Sequence, residues 1–196
     1  MRRHCKKMGI WLARLVIPLF YDREYLCGRF FETQNVGWRW SLNGVLWQKI
    51  LRVNSHIPWH CSPNIKISNP NNMHFHVDDL NNFQGFGCYF QNFAGNIYIG
   101  KGSYIAPNVG LITCNHDLLD PDKHQEGKDI KLGRKCWIGM NSVILPGVVL
   151  GDHTVVAAGS VVTKSFEDGY CVVAGSPAKV IRTLNKSQYP QSNICS

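Results

Sequence analysis

From Leu132 onward an aliphatic side chain returns every sixth residue, at Leu132, Ile138, Ile144, Leu150, Val156 and Val162. The same phase runs earlier through Ile99, Ile105 and Leu111. A period of six fits neither a helix at 3.6 nor a continuous strand at 2, so each hexad must be a short strand followed by a turn. Gly100, Gly133, Gly139 and Gly151 directly follow the aliphatic positions, where glycine tolerates a tight backbone. Three hexads then make one triangular coil, and coils stack at the ~4.8 Å spacing of hydrogen-bonded strands around a column of aliphatic side chains. Four places after the aliphatics lies a second inward position, held by Ser103, Val109, Asn115, Cys136, Ser142, Val148, Thr154 and Ser160. All but the two valines are small or polar.

The rhythm is interrupted. "NIKIS" (64–68), "NIYIG" (96–100) and "DIKLG" (129–133) share one pattern, yet they recur at nearly twice the spacing that a coil of three hexads allows. Each interval therefore predicts one coil plus an excursion of about 15 residues. The first covers the irregular stretch 69–93, which predicts distorted early coils. The second is "LITCNHDLLDPDKHQEGKDI" (111–130), a polar run with two histidines. A loop extruded from a rigid scaffold carries reactive groups without disturbing the core. Residues 116–130 are the predicted loop, and His116 stands where it departs.

The stretch "LGRKCWIGMNSVILPGVVLGDHTVVAAGSVVTKSF", followed by "VVAGSPAKVIR", resembles the hexapeptide-repeat acyltransferases, similar to maltose and galactoside O-acetyltransferases and to capsule and O-antigen polysaccharide O-acetyltransferases. The likeness covers about residues 83–183. It implies an all-β dominated fold: a left-handed parallel β-helix over 61–183 with the extruded loop and a short C-terminal segment. It also implies a homotrimer with active sites between subunits and acetyl transfer from acetyl-CoA to a saccharide, with no metal. A left-handed winding departs from the usual right-handed crossover.

The resemblance assigns roles residue by residue. His116 matches the catalytic base, and the chemistry needs one, because a sugar hydroxyl is a poor nucleophile until a positioned imidazole takes its proton. Asp117 or Asp120 would orient that ring as a carboxylate does in a triad, with Asp117 preferred. Asn92, in "FQNF", matches an asparagine that binds the acceptor, although fewer residues separate it from the histidine here. His124 is either an acceptor contact or a solvated loop residue. Trp137 matches a tryptophan beside the cofactor and acceptor channel, and Ala157, Ala158 and Gly159 match the small-residue edge on which pantetheine lies. Lys164, Lys179 and Arg182 match the basic end that holds the nucleotide portion. Cys114, two places before His116, suggests an acyl-enzyme, but transfer in the family is direct and a small packed residue is the expectation.

Residues 1–60 are of another character. They hold ten Lys/Arg against three Asp/Glu, a net of +7 in a chain whose total is +8. Charge alone does not choose between nucleic acid, an anionic membrane and an anionic polymer; the resemblance points away from nucleic acid. "MRRHCKKMGIWLARLVIPLFYDREY" has the order of a signal peptide, but Arg14 and Pro18 break it and no small-x-small cleavage site follows. About 14 apolar residues cannot span a bilayer, which needs ~20. The expectation is a basic, aromatic-rich, mainly helical arm over 1–60, either docked on the β-helix or resting through Trp11, Leu12, Leu15 and Leu19 on a membrane surface. The eight cysteines, without a CxxC, predict free thiols in a reducing cytoplasm, the protein then being peripheral at the inner face of the membrane. The tail 184–196 is expected to be disordered.

The leading expectation is thus an O-acetyltransferase for a bacterial surface polysaccharide or its precursor. Its nearest rival acetylates a free sugar or a small amine. More remote are a zinc enzyme like the γ-class carbonic anhydrases, with His74, His76, His116 and His124 as ligands, and a non-catalytic β-helix binding protein.

Overall fold

The computed structural model describes residues 2–189. The chain climbs through five coils. Strands β1 (Lys66–Ile67) and β2 (Met73–His74) belong to the first, and β3 (Tyr89–Gln91), β4 (Ile97–Ile99) and β5 (Tyr104–Ile105) to the second. β6 (Gly110–Ile112), β7 (Ile130–Leu132) and β8 (Trp137–Ile138) make the third, and β9 (Val143–Ile144), β10 (Val149–Leu150) and β11 (Val155–Val156) the fourth. β12 (Val161–Val162) and β13 (Cys171–Gly175) complete the fifth, and β14 (Ala178–Thr183) folds back antiparallel on β13. Strands of successive coils pair in parallel as three sheets: a first face β1-β3-β6-β9-β12, a second β2-β4-β7-β10 and a third β5-β8-β11-β13-β14.

The hexad rule decides which side chains fill the prism. Ile99, Ile105, Leu111, Leu132, Ile138, Ile144, Leu150, Val156 and Val162 are all buried. Of the second inward set, Ser103, Val109, Cys136, Ser142, Val148, Thr154 and Ser160 are buried too, and the hydroxyls are satisfied by backbone: Ser103 donates to the Gly133 carbonyl at 2.8 Å and Thr154 to that of Gly151 at 2.7 Å. Asn115 is the exception. It is exposed, because the chain has already left the prism at Thr113.

Each coil is turned by a left-handed residue three places after its aliphatic: Gly102, Asn108, Lys135, Asn141, Gly147, His153 and Gly159 all have positive φ. Glycine and asparagine adopt that region at least cost, so the corners are a second six-residue cadence. The glycines directly after the aliphatics are needed for another reason than the tight turn expected of them. A Cβ at Gly139 would lie 2.6 Å from the Ala158 nitrogen, and one at Gly133 2.6 Å from that of Asp152. Backbone of the next coil occupies the space of a side chain.

Two further expectations change. "NIKIS" does not share a face with "NIYIG" and "DIKLG": β4 pairs β7 in register on the second face, but β1 pairs β3 on the first, Lys66 opposite Tyr89. The first coil therefore carries a far smaller excursion than the motif spacing suggested, and the 3-10 turn Pro70–Asn72 and the kinked 3-10 segment Val77–Phe83 take the place of regular turns and of a third-face strand. The fold is also not all-β, being 26% helical.

Helical structure gathers in the N-terminal arm, with α1 (Arg2–Val16), α2 (Val36–Gly44) and a π-helical continuation Val45–Ile50. The arm shares one core with the β-helix: Tyr25, Trp59, Phe75, Phe83 and Phe90 form a chain of ring contacts with centroids 4.7–5.6 Å apart. Such pairs add ~0.5–1.5 kcal/mol each beyond the area they bury. The buried Gln48 amide donates to the carbonyls of Ile57 and Trp59 at 3.1 and 2.9 Å, and Arg29 holds Asp78 through its backbone amide at 2.8 Å. At the other end, Lys186–Gln188 form a 3-10 turn within the tail expected to be disordered, and Tyr189 packs on His153 and Tyr170; residues 190–196 lie outside those described. Among the described residues no helix is long and apolar enough to cross a membrane.

The glycine column gives a direct stability test. Gly139→Ala should cost ~1–3 kcal/mol in urea unfolding, since the obstructing atoms are backbone. At Gly110 a new Cβ meets side chains no nearer than 3.7 Å. Gly110→Ala should therefore be neutral or stabilising by up to ~1 kcal/mol.

Candidate active site

β6 ends at Ile112 and β7 begins at Ile130, so the excursion leaves the corner between the first and second faces of the third coil. At this corner no left-handed turn follows the aliphatic Leu111; the backbone continues outward instead. Gln91, buried on β3 of the coil below, fixes the exit. Its Nε2 donates to the Cys114 carbonyl at 2.9 Å, and its Oε1 accepts the amides of Thr113 and Cys114 at 3.0 Å each. The return is closed by the Lys128 amide on the Thr113 carbonyl at 2.8 Å.

Beyond that neck the loop folds on itself. The Gln125 amide donates to the Asn115 carbonyl at 2.8 Å and the Asp117 amide to that of Lys123 at 2.9 Å, which sets His116 opposite His124. Their rings lie 4.4 Å apart, and Phe93 from the coil below meets His124 edge-on at 5.1 Å. His116 is exposed, and its Nδ1 lies 2.7 Å from the Pro121 carbonyl oxygen. A carbonyl can only accept, so Nδ1 carries the proton in the neutral ring and Nε2 keeps its lone pair. The arrangement leaves an exposed ring nitrogen able to accept a proton, with its tautomer set.

The residues expected to support that base take other roles. Asp117 does not orient the imidazole: its Oδ1 accepts the amides of Leu119 and Asp120 at 2.8 and 3.1 Å and so shapes the loop tip. Asp120 pairs with Lys123 at 2.9 Å. The orienting group is the Pro121 carbonyl, a main-chain atom that a search for carboxylates overlooks. Asn92 is 0% exposed, with Oδ1 accepting the Asn69 amide at 2.9 Å and Nδ2 donating to the Asn69 carbonyl at 2.6 Å. Each end of its amide is engaged in stitching two coils together, and the side chain is sealed from solvent. Its neighbour Gln91 is the residue that reaches the loop; strand alternation would set it outward with Tyr89, so no signal of this contact stood in the sequence. Cys114 is buried with its thiol 3.0 Å from the Gln125 carbonyl, a packed residue rather than a nucleophile.

The remaining residues lie elsewhere on the prism. Ala157, Ala158 and Gly159 form the corner between the third and first faces, with Ala158 and Gly159 exposed. Nothing approaches within 4 Å of the place where a Gly159 side chain would stand. Lys179 pairs with Ala174 at the end of the β13–β14 hairpin, and the Gly175 amide there reaches the Ser160 hydroxyl at 3.3 Å, so Lys179 belongs to this corner. Trp137, 57% exposed, stands on the third face with Arg182 on its edge strand. Lys164 instead follows β12 toward the second face, above the loop's corner, with its ammonium 5.8 Å from the Phe166 ring. One chain therefore places His116 and the small-residue corner at different edges of the prism. The four histidines imagined as metal ligands do not converge: His74 bonds Asn96 and stacks on Tyr98, and His76 caps the Asp78 amide. Among the described residues no group of three His, Cys, Asp or Glu is gathered as for a metal.

Residues 129–164 match the family described as bacterial transferase hexapeptide (six repeats). The chain carries the repeat of the hexapeptide transferases. It is 41% identical over 96 residues to galactoside O-acetyltransferase of Escherichia coli (strain K12), covering 45% of each chain. WcaF of the same strain, provisionally assigned as a colanic acid biosynthesis acetyltransferase, is 40% identical over 88 residues, 45% of this chain and 48% of that one. Among solved structures, a galactoside acetyltransferase in complex with coenzyme A superimposes with a TM-score of 0.58 at 26% identity, over 83% of this chain and 86% of that one. The chain spans about half to two thirds of the length of the curated relatives it matches.

Two measurements check the loop geometry. Imidazole ¹⁵N shifts at a pH where the ring is neutral should show the His116 proton on Nδ1, whereas an Nε2–H tautomer would remove the Pro121 contact. Gln91→Ala, which strips three partners from the loop's neck, should cost ~1–3 kcal/mol and speed amide exchange at Cys114.

Proposed function

We propose that the chain is an acetyl-CoA-dependent O-acetyltransferase, with His116 as general base, that acetylates a sugar hydroxyl of a bacterial surface polysaccharide, capsule or O-antigen, or of its precursor. The observation that carries this reading is the exposed imidazole on a pinned loop of a hexapeptide prism, its Nδ1 held by the Pro121 carbonyl and its Nε2 free. The match to WcaF favours a polymer or precursor as acceptor, and the match to galactoside O-acetyltransferase keeps a free sugar as the second reading. The prism is taken as left-handed, the hand that the resemblance implies.

In this mechanism His116 Nε2 takes the proton of the attacking hydroxyl as its oxygen bonds to the acyl carbon, and the proton passes on to the departing thiolate, so transfer is direct. Such a base typically contributes ~10²- to 10⁴-fold. The donor supplies an activated thioester and a nucleotide bearing phosphates. Residues of the chain fit those parts: the Ala157–Gly159 corner has the room a flat pantetheine arm needs, Trp137 offers an exposed ring, and Lys179 with Arg182 offers charge. Lys164 would serve from a different edge, and His124, between Phe93 and His116, would face the acceptor.

A homotrimer reconciles the separated parts. His116 on one edge and the small-residue corner on another form a single site if neighbouring prisms bring unlike edges together. The loop tip supports this, since Leu118 and Leu119 are 90% and 96% exposed, and a neighbour's wall would cover them.

Thiol release from acetyl-CoA across a panel of oligosaccharides tests the activity. The wild-type chain should turn over at least one saccharide, and His116→Ala should lose ~10²-fold or more with its circular dichroism unchanged. Retained turnover in that variant would sink the assignment of the base. Light scattering should give three times the chain mass, and Leu118→Glu with Leu119→Glu should lower both that mass and the activity.

A further inference from the structure

Helix α1 is apolar on two sides. Ala13 and Ile17, just beyond its end, are buried and Ile10 packs against the same core, so this side is the one that docks on the arm. At 3.6 residues per turn, Trp11, Leu12, Leu15 and Val16 fall on the opposite side. All four are exposed, Trp11 by 61%, and Leu19 beyond the helix reaches 80%. The adjoining helical segment repeats the pattern: Gly37, Ser41, Gly44 and Gln48 face the core, while Leu42, Leu46 and Ile50 stand exposed beside Arg39. An exposed apolar surface of this extent on a folded scaffold marks a docking surface.

We propose that this outward surface of α1, with the exposed stripe of the α2 segment, docks on an anionic lipid bilayer. Charge selects that occupant. The sequence of α1 contains Arg2, Arg3, Lys6, Lys7 and Arg14 and no acidic residue, and the whole arm, 1–60, carries a net +7. A tryptophan and leucines on one side with lysine and arginine in the same helix are the composition of a helix lying in the plane of an interface. A second copy of the chain is the poorer fit, since each copy would bring an arm of the same basic composition and a net charge of +8. At 15 residues, α1 is ~23 Å long, short of the ~30 Å hydrocarbon layer, so it lies on the membrane and does not span it. Burial of Ala13 and Ile17 leaves the helix unable to turn its other side outward without breaking the core. The inference does not use the acyl-transfer reading.

Co-sedimentation of the full chain with vesicles tests it. Phosphatidylcholine vesicles containing phosphatidylglycerol should bind at least ~10-fold more strongly than phosphatidylcholine alone, with the difference shrinking as salt is raised. Leu12→Glu with Leu15→Glu, both at exposed positions, should abolish that binding while leaving circular dichroism, thermal midpoint and assembly mass unchanged. Equal binding to both vesicle types, or no binding to either, overturns the proposal. So does a double variant that still sediments with the anionic vesicles but loses assembly mass, which would assign the surface to a second copy of the chain. Acetyl transfer to a free saccharide should persist in the double variant, so a failure of docking and a failure of the enzymatic reading are separately visible.

Discussion

The structure depends on one repeated bond. The amide directly after an inward aliphatic donates to the carbonyl of the corresponding aliphatic one coil on: Gly133 to Leu150 at 2.7 Å, Gly139 to Val156 at 2.8 Å, and, across the loop, Gly100 to Leu132 at 2.8 Å. Because each bond needs the two coils in the same phase, it aligns the aliphatics into a closed column and pays for the backbone buried there. Where the donor is glycine, backbone of the next coil takes the space of a side chain, while Ala106 and Leu145 make the same bond at 3.0 Å at other corners. The loop is tolerated because it enters and leaves between two such bonds, so an insertion in sequence is none in register.

That rigidity is what the loop borrows. Gln91 belongs to the column of the first face, and its amide dictates where the chain turns outward at Thr113 and Cys114. From this neck to His116 there are few residues, and the antiparallel contact with His124 removes most of the remaining freedom. An imidazole held this way is positioned in advance, which is the condition the proposed role of His116 as a base requires.

The arm solves a different problem. An open end of the prism would expose the last aliphatics of the column, and the ring chain from Phe90 through Phe83 and Trp59 to Tyr25 closes it. With one side of its helices packed into the same core, the arm still carries exposed apolar residues on the other. One segment thus serves as a cap and as a surface.

How much of this was legible depends on whether a residue acts through local pattern or through distant partners. The aliphatic cadence from Ile99 to Val162, the loop near residue 116 and the basic character of the arm follow from spacing and composition, because burial of every sixth side chain is a property of the chain itself. The corner residues Asn108, Lys135, Asn141 and His153 were equally periodic, and were hidden by their mixed chemistry: what they share is a backbone angle. The role of Asn92 could not be read, because its partner Asn69 is a coil away. Nor could Pro121 as the orienting group, because a carbonyl has no signature in sequence. The face taken by "NIKIS" needed the structure as well, since inward aliphatics look alike on all three faces. Sequence by itself determined the prism, its period and the place of the loop that carries His116; the tertiary structure decided which groups hold that imidazole and which edge each residue occupies, because those depend on the stacking of coils that are distant along the chain.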